Sequence, residues 1–274
     1  MKRSLLALVP AAAAAGALLL SAGPAGAAAH PAVPLKAGTT TSTEQFGYRV
    51  TGGQFRNVHQ QVFLRNAGQY AASIGSYGVS VQLWSASKVI VLGISTCATT
   101  DCQTGSPAVN NEPWGAALAV YDAGTHALIH SAFAPTQVPA GHTVRELITY
   151  SKTTGTIFVS VVDETAATTN FSATYSAGAG LSFSQARLGA ETSAVSPWGP
   201  PAFTYSAPAG TTLAARMTGA GLTNYIGHAG TISDSEWSHN TVTWTRNGLA
   251  SGAVNGDASA LAAGGSSFTV SLEP

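Results

Sequence analysis

The stretch that decides the fold is VSVQLW at residues 79–84, followed after a short break by KVIVLGIS at Lys88–Ser95. In residues 79–84, Val79, Val81 and Leu83 alternate with more polar side chains, which is the pattern of a strand with one face on a core. Lys88–Ser95 is almost entirely apolar and predicts a central strand that is buried on both faces. These two runs indicate a β protein.

Further short runs of this kind recur along the chain between turn signals. They lie at 116–122, Leu128–Phe133, Thr143–Ser151, Thr156–Asp163, 241–246 and 267–272. The sharpest breaks are DAGT at 122–125, TTG at 153–155 and NG at 247–248, and Asn-Gly is typical of a two-residue hairpin turn. No helical periodicity of useful length follows the first thirty residues. The pattern predicts an all-β protein, an antiparallel β-sandwich or jelly roll.

The beginning of the chain resembles a secretory signal peptide. Lys2 and Arg3 precede an apolar run at 5–20, and AGA at 25–27 and AAA at 27–29 offer small-x-small cleavage sites. The alternative is a membrane anchor, but the run is short for a span and no charge cluster follows it. We expect residues 1–29 to be removed after residue 27 or 29. The mature protein should then be secreted, extracellular and not attached to a membrane.

The remaining chain has the length of one large β domain. Residues 30–43 are rich in Pro, Ala, Gly and Thr and predict a flexible lead-in. We assign 44–274 to a single β-sandwich domain. Residues 196–209 contain four prolines and predict a long loop, with a domain boundary as the alternative.

The composition argues against a nucleic-acid partner. Charged residues make up only 9% of the chain, against roughly 25% in ordinary soluble domains. The formal net charge is +0, and removal of Lys2 and Arg3 leaves ten basic against twelve acidic side chains. The sequence has no basic stripe that could follow a phosphate backbone.

Two cysteines, Cys97 and Cys102, lie close together in CATTDC. In an exported protein this spacing predicts a structural disulfide that closes a small loop. A zinc site or a redox pair is the alternative, but two thiols without a nearby His are too few for structural zinc, and the spacing is not Cys-x-x-Cys. We expect no metal site and no cofactor.

The segment ARLGAE at 186–191 resembles the Ala-Glu-Trp-Ile-Val-Glu strand of the glutamic peptidases, or eqolisins. KVIVLGI at 88–94 is similar to that family's glutamine strand, Thr-Val-Glu-Gln-Ile-Gly-Thr, with Val91 where the glutamine would stand. The resemblance implies a concanavalin-like β-sandwich with a glutamate–glutamine dyad on adjacent strands. It identifies the chain as a divergent, secreted bacterial relative.

Other motifs follow in the family's order between Gly47 and about Phe203. GY at 47–48 with Gly52, Phe55 and Val58 resembles the family's opening Trp-Ser-Gly-Tyr…Gly…Phe…Val. AVYD at 119–122 is similar to Ala-Trp-Tyr-Glu, VPAGH at 138–142 to Val-x-x-Gly-Asp, and DET at 163–165 to Asp-x-Thr. Nearly every departure removes a large aromatic or polar residue of the family's cleft.

The resemblance implies that Glu191 would be the general base on a water and that a glutamine amide would stabilise the oxyanion. Valine can do neither, so Gln82 is the candidate replacement. Trp84, Tyr121 and Asp122 are candidate ligand-binding residues in the same cleft. These residues are compatible both with an enzyme and with a protein that has lost catalysis.

Three functions are compatible with these residues. The first is a catalytically impaired protein that binds an extracellular peptide or polysaccharide in the cleft. The second is an active acid endopeptidase that uses Glu191 and Gln82. The third is a structural surface protein whose groove is filled by its own side chains.

One polar cluster lies outside the resemblance. Asp234, Glu236 and His239 surround Trp237 in ISDSEWSH at 232–239. Oxygen ligands beside an aromatic ring are typical of calcium and sugar sites, and a solvated loop is the alternative interpretation.

Overall fold

The computed structural model describes residues 39–42, 45–64, 78–95, 114–191, 213–244, 256–262 and 264–272. These residues form fifteen strands and no α-helix. The strands are β1 Thr39–Ser42, β2 Gln45–Phe63, β3 Gly78–Ser85, β4 Lys88–Ser95, β5 Gly115–Asp122, β6 Leu128–Phe133, β7 Thr143–Ser151, β8 Thr156–Asp163, β9 Thr168–Ser176, β10 Phe183–Glu191, β11 Leu213–Asn224, β12 Ala229–Thr231, β13 Ser238–Trp244, β14 Gly256–Ala258 and β15 Phe268–Leu272. Within the described ranges, no helix is long and apolar enough to span a membrane.

Strand β2, which is 19 residues long, belongs to two layers. Its first half pairs with β10 and β13, where Gly47 lies opposite Gly189 and Val242. Its second half pairs with β7 and β11, and Val58 lies opposite Ile148 on β7. The strand therefore fixes the position of one layer on the other.

We call β1-β13-β2-β10-β3-β4-β5-β6 the main layer and β15-β11-β2-β7-β8-β9 the second layer. Strand β12 pairs with β11, and β14 pairs with both β13 and β15. Among the described strands, all pairs are antiparallel except β1 with β13, which is parallel. The predicted all-β, antiparallel sandwich is confirmed.

The sequence located most strands correctly. Leu128–Phe133, Thr143–Ser151 and Thr156–Asp163 are strands over the predicted ranges, and Lys88–Ser95 is buried on both faces. Strand β13 begins at Ser238, earlier than the predicted start at 241, because Ser238 already pairs with Thr51 of β2.

Two expectations differ from the structure. The end of the predicted flexible lead-in, Thr39–Ser42, forms β1, because its Thr-rich backbone pairs with β13. The alternation in β3 does not produce a solvated face, since Ser80 and Gln82 are both 0% exposed. Several other predictions concern residues outside the described ranges: the signal peptide at 1–29, the Cys97–Cys102 disulfide, the loop at 196–209 and the NG turn at 247–248.

The core lies between the two layers. Its largest fully buried side chains include Trp114, Tyr150, Phe46, Phe55, Phe183 and Leu64. Tyr150 meets Phe183 edge to face, with ring centroids 5.0 Å apart, which joins the second layer to β10 of the main layer. Burial of one such side chain contributes roughly 1.5–3 kcal/mol.

A polar pair interrupts the core. Gln60 on β2 and Glu146 on β7 are directly opposite each other, and both are 0% exposed. The Gln60 amide donates to the Glu146 carboxyl at 2.7 Å and to the backbone oxygen of Ser80 on β3 at 3.1 Å. This pair thus links the second layer to the main layer by hydrogen bonds rather than by apolar contact.

Strands β2 and β10 approach each other most closely at two glycines. Gly47 and Gly189 are opposite, with φ of +147° and +152°. A Cβ on Gly189 would meet the backbone oxygen of Phe46, and one on Gly47 would meet that of Leu188. Only glycine fits at these two positions.

Two turns of the second layer meet at Asp163. Its Oδ2 lies 2.6 Å from His142 Nδ1, and its Oδ1 accepts from the backbone N–H groups of Thr165 and Ala166. Burial acts to raise the pKa of Asp163, but the Ala166 hydrogen bond and His142 outweigh it and hold the pKa below its usual 3.8. Where the family motif has an aspartate, His142 supplies a hydrogen-bond partner for Asp163.

Replacing Gly189 with Ala should destabilise the protein by about 2–5 kcal/mol, because strain at positive φ adds to a backbone clash. The matched control is Gly178→Ala, which has φ of +97° and no atom within 4 Å of the added Cβ. This control should lose only about 1–2 kcal/mol. Urea unfolding measures both variants, and equal losses would contradict the close-approach argument.

Replacing Asp163 with Asn should make stability less dependent on pH in the acid range. The folded pKa lies below the unfolded pKa, so the carboxylate contributes stability above the unfolded value, and this contribution is lost as the pH falls through the folded value. We expect a deficit of about 1–3 kcal/mol in the variant near pH 5 that shrinks as the pH falls toward about 2. Unfolding curves across this range test it, and a constant deficit would count against it.

Candidate functional site

The outer face of the main layer carries polar side chains over β2, β10 and β3. Along each strand, alternate residues point away from the core. Ala186 and Leu188 of β10 are buried in the core, whereas Gln185 and Arg187 lie on the other side. We call this the polar face; its main members are Arg49, Gln82, Trp84, Gln185 and Arg187.

The strand register places five residues of the outer face in one row across the sheet. Asn240 on β13 is opposite Arg49 on β2, Arg49 is opposite Arg187 on β10, Arg187 is opposite Gln82 on β3, and Gln82 is opposite Val91 on β4. Directly opposite residues have Cβ atoms about 4.5–5.5 Å apart. The row therefore sets two arginines side by side.

Arg187 is held in place by its neighbours. Its guanidinium carbon lies 3.9 Å from the centroid of the Trp84 ring. Its Nε and one terminal nitrogen donate to the side-chain oxygen of Gln185, at 2.7 and 3.2 Å, in the amide orientation that satisfies both groups. Trp84 in turn donates its Nε1–H to Gln82 Oε1 at 2.8 Å. The arginine is thus presented as a flat, oriented donor.

Arg49 is held in a similar way. Its Nε donates to Asn240 Oδ1 at 3.0 Å. Asn240 is 8% exposed, whereas Arg49 is half-buried. An amide is a neutral acceptor, so this bond orients the guanidinium without neutralising its charge.

Gln82, the candidate replacement for the catalytic glutamine, is a fully buried member of the polar face, at 0% exposure. Its Nε2 donates to Ser80 Oγ at 3.3 Å, and its Oε1 accepts from Trp84. In this geometry the amide supports the Trp84–Arg187 stack.

The structure does not bring Gln82 and Glu191 together. Glu191 is opposite Gly78 on β3, and Gln82 is opposite Arg187. Four residues of strand separate Arg187 from Glu191, which corresponds to about 13 Å. In the ARLGAE segment, Arg187 occupies the position of the motif's first glutamate.

An apolar cluster adjoins the polar face on β4 and β5. Val89, Val91, Ala119 and Tyr121 pack together at 0–3% exposure, and Trp84 packs against them. Val91, at the position of the family's glutamine, contributes only apolar surface. Tyr121, a candidate ligand-binding residue, is buried within the cluster.

Asp122, another candidate ligand-binding residue, organises the turn between β5 and β6. Its Oδ1 accepts from the Thr125 N–H at 2.7 Å, the Thr125 hydroxyl at 2.9 Å and the Gly124 N–H at 3.0 Å. The hydrogen bonds from Thr125 lower the pKa of Asp122. Its contacts are those of an Asx turn.

The cluster around Trp237 is a turn that anchors an aromatic ring in the core. Trp237 is 3% exposed, meets Phe55 edge to face, and donates to the Thr231 oxygen at 2.9 Å. Asp234 accepts from the Glu236 N–H and lies 3.0 Å from His228 Nε2. Among the described residues, no three His, Cys, Asp or Glu side chains are grouped so that they could hold a metal ion.

Comparison with solved structures identifies a similar fold. A scytalido-glutamic peptidase with a transition state analog inhibitor gives a TM-score of 0.55 at 12% identity, covering 84% of this chain and 98% of that one. The same peptidase with a peptide-based transition state analog gives 0.55 at 12% identity, covering 84% and 100%. SCP-B, a member of the eqolisin family in complex with the tripeptide Ala-Ile-His, gives 0.51 at 11% identity, covering 84% and 100%. The chain has a glutamic peptidase-like fold.

Comparisons by sequence give no further relatives. No family profile matches the chain, and no curated protein matches it. The similarity is therefore one of fold, and the chemistry of this protein depends on its own side chains.

Sequence reasoning missed Arg49, Gln185 and Arg187. The sequence did contain an indication of Arg187. It is four residues before Glu191, so the two positions lie on the same face of the strand. Arg49 likewise follows Gly47 by two residues. What the sequence could not supply was the register that sets Arg49 opposite Arg187.

We expect Arg49 and Arg187 to repel each other. In a double-mutant cycle with Arg49→Gln and Arg187→Gln, the coupling should be unfavourable by about 0.2–1 kcal/mol, as for like charges directly opposite in a sheet. Raising the ionic strength from about 0.01 M to about 0.5 M should reduce it by screening. Thermal unfolding measures the cycle, and a favourable coupling at low salt would contradict this account.

Proposed function

We propose that the protein is a non-hydrolysing binder that holds an extracellular peptide on the polar face of a glutamic peptidase-like scaffold. The secreted, extracellular location rests on the signal-peptide pattern at residues 1–29. A polysaccharide is the alternative ligand, since aromatic and polar side chains also recognise sugars.

The observation that carries this proposal is the pairing of Gln82 with Arg187. A glutamic peptidase needs a carboxylate beside an amide, one to take a proton from water and the other to stabilise the oxyanion. A guanidinium has no lone pair with which to accept that proton. The residue opposite Gln82 therefore cannot be a general base, and Gln82 itself is fully buried, with its Oε1 accepting from Trp84.

Neither of two other carboxylates, Glu191 and Glu146, supplies a general base beside the Gln82 amide. Glu191 occupies a strand position about 13 Å along β10 from the partner of Gln82, opposite Gly78, so the register does not set it beside that amide. Glu146 does contact an amide, that of Gln60, but both residues are 0% exposed in the core. A substrate cannot reach that pair without unfolding of the layers.

Peptide is the favoured ligand because two of the structurally similar proteins hold peptide ligands. Their structures contain a peptide-based transition state analog and the tripeptide Ala-Ile-His. A scaffold of this shape that has lost its base and its oxyanion donor would keep a surface suited to an extended chain. The half-exposed Trp84 and Arg187 supply the kinds of side chain that dominate binding sites.

The proposal predicts that the purified chain will not cleave a denatured protein substrate at acidic pH. It should bind unstructured peptides from a random library, measured by fluorescence anisotropy, while neutral polysaccharides do not compete. Glu191→Gln should leave peptide binding unchanged within about twofold, because Glu191 lies outside the Arg187 row.

Cleavage by the wild type that disappears in Glu191→Gln would overturn the proposal and establish an acid endopeptidase with a different amide partner. Tight binding of a neutral glycan with no peptide binding would overturn the peptide assignment. Circular dichroism of both proteins, as a check on folding, makes a negative cleavage result meaningful.

A further inference from the structure

We infer that the outer face of the second layer is a binding site for a neutral polysaccharide, centred on the exposed ring of Phe158. This site is on a different layer from the polar face, and it does not depend on the peptide-binding function proposed there. We call it the Phe158 platform; its members are Asn57 on β2, Thr149 on β7, Phe158 on β8 and Thr174 on β9.

The strand register places the four members of the platform in one row. Asn57 is opposite Thr149, Thr149 is opposite Phe158, and Phe158 is opposite Thr174. They lie on the side of the sheet away from the core, because their neighbours along the strands, such as Val159, belong to the core. With strands about 4.8 Å apart, the row extends about 14 Å across the four strands.

The Phe158 side chain is an apolar ring surrounded by hydroxyl groups. It is 40% exposed, whereas Ile157 and Val159 on either side are 0% exposed. The nearest positions on the same face are mostly Ser or Thr, and none is charged; they are Thr149, Ser151, Thr156, Ser160, Ser172, Thr174 and Ser176, with Leu147 as the exception. A sugar ring has the matching pattern, since its C–H face can stack on the aromatic ring while its hydroxyl rim meets the Ser and Thr side chains.

One of these hydroxyl groups is oriented by a chain of hydrogen bonds. Asn57 Nδ2 donates to Thr149 Oγ1 at 3.0 Å, and Asn57 Oδ1 lies 3.1 Å from His59 Nδ1. Because the amide oxygen can only accept, His59 carries a proton on Nδ1. The Thr149 oxygen thus receives one hydrogen bond from Asn57, and its own proton can be donated to a ligand beside the Phe158 ring.

The charge of this face favours a neutral ligand. Burial, and to a lesser extent Arg145, lowers the pKa of His59, so its ring is neutral at pH 7. Over 57–63 of β2 and over β7, β8 and β9, the charged side chain of the described outer face is Arg145, which lies about 13 Å along β7 from Thr149. Its Nε is 3.0 Å from Glu164 Oε1, so its charge is offset. A single ring among hydroxyls also offers little apolar surface to a lipid or to a protein partner.

Retention on insoluble neutral polysaccharides tests the inference. We expect the purified chain to bind at least one of crystalline cellulose, chitin and mannan, measured by depletion from solution. The affinity should change by less than about twofold between about 0.05 M and about 0.5 M salt, because no ion pair contributes to the contact.

Variants of the platform test the site. Phe158→Ala should weaken retention by about tenfold or more, whereas Phe158→Tyr should retain it within about twofold. Thr149→Val removes the hydroxyl with little change of shape and should weaken retention by about two- to tenfold. The matched control is Phe63→Ala, since Phe63 is 48% exposed on the same face of β2, about 20 Å along the strand from Asn57. This control should leave retention unchanged within about twofold.

Thermal unfolding confirms that each variant is folded, and three results would overturn the inference. The first is no retention of the wild type on any of the three polysaccharides. The second is retention that Phe158→Ala leaves unchanged, and loss of that retention in Arg187→Gln would move glycan binding to the polar face. The third is a wild-type dimer in sedimentation that Phe158→Ala dissociates, without retention, which would assign the face to a second copy of the chain. Peptide binding to the polar face is measured separately by anisotropy, so failure of one proposal is distinguishable from failure of the other.

Discussion

The close approach of β2 and β10 at Gly47 and Gly189 is the constraint on which the arrangement of the main layer depends. Each glycine lacks the Cβ that would strike the other strand's backbone, and both have positive φ. Because β2 continues into the second layer, this contact also fixes how the two layers meet. A side chain at either position would force the strands apart, so the register of β10 between β2 and β3 depends on the two glycines.

That register decides the chemistry of the polar face. A slip by one residue would move every side chain of β10 to the other face, which would bury Arg187 and expose Leu188. With the observed register, Arg187 lies between Arg49 and Gln82 and above Trp84. The hydrogen bonds of Gln82, Gln185 and Asn240 then serve to orient cations. The polar residues of this face therefore act together, and their roles follow from the alignment of the strands.

The sequence predicted the positions of the strands better than it predicted which residues lie opposite each other on neighbouring strands. Alternation and turn signals located β4, β6, β7 and β8, because these depend on neighbouring residues. The sequence could not predict that Gln82 would be buried, since burial depends on residues distant along the chain, such as Arg187, which lies opposite it on β10. It also pointed to Glu191 through a motif, whereas the residue opposite Gln82 is set by pairing between strands distant in sequence. The pairs Gln60–Glu146 and His142–Asp163 also join residues that are distant in sequence, so the sequence did not predict them.

The side chains on the outer face of the main layer can vary without loss of the fold, and this has a physical explanation. The fold is stabilised by the main core and by the β2–β10 contact, neither of which includes the side chains of Arg49 and Arg187. An arginine at position 187 of the row therefore costs the main core little. The strands of this face hold its planar guanidinium against the Trp84 ring. A peptidase-like fold can in this way carry different side chains on its outer face, because the position of the row is set by backbone packing and its chemistry by side chains that lie outside the main core.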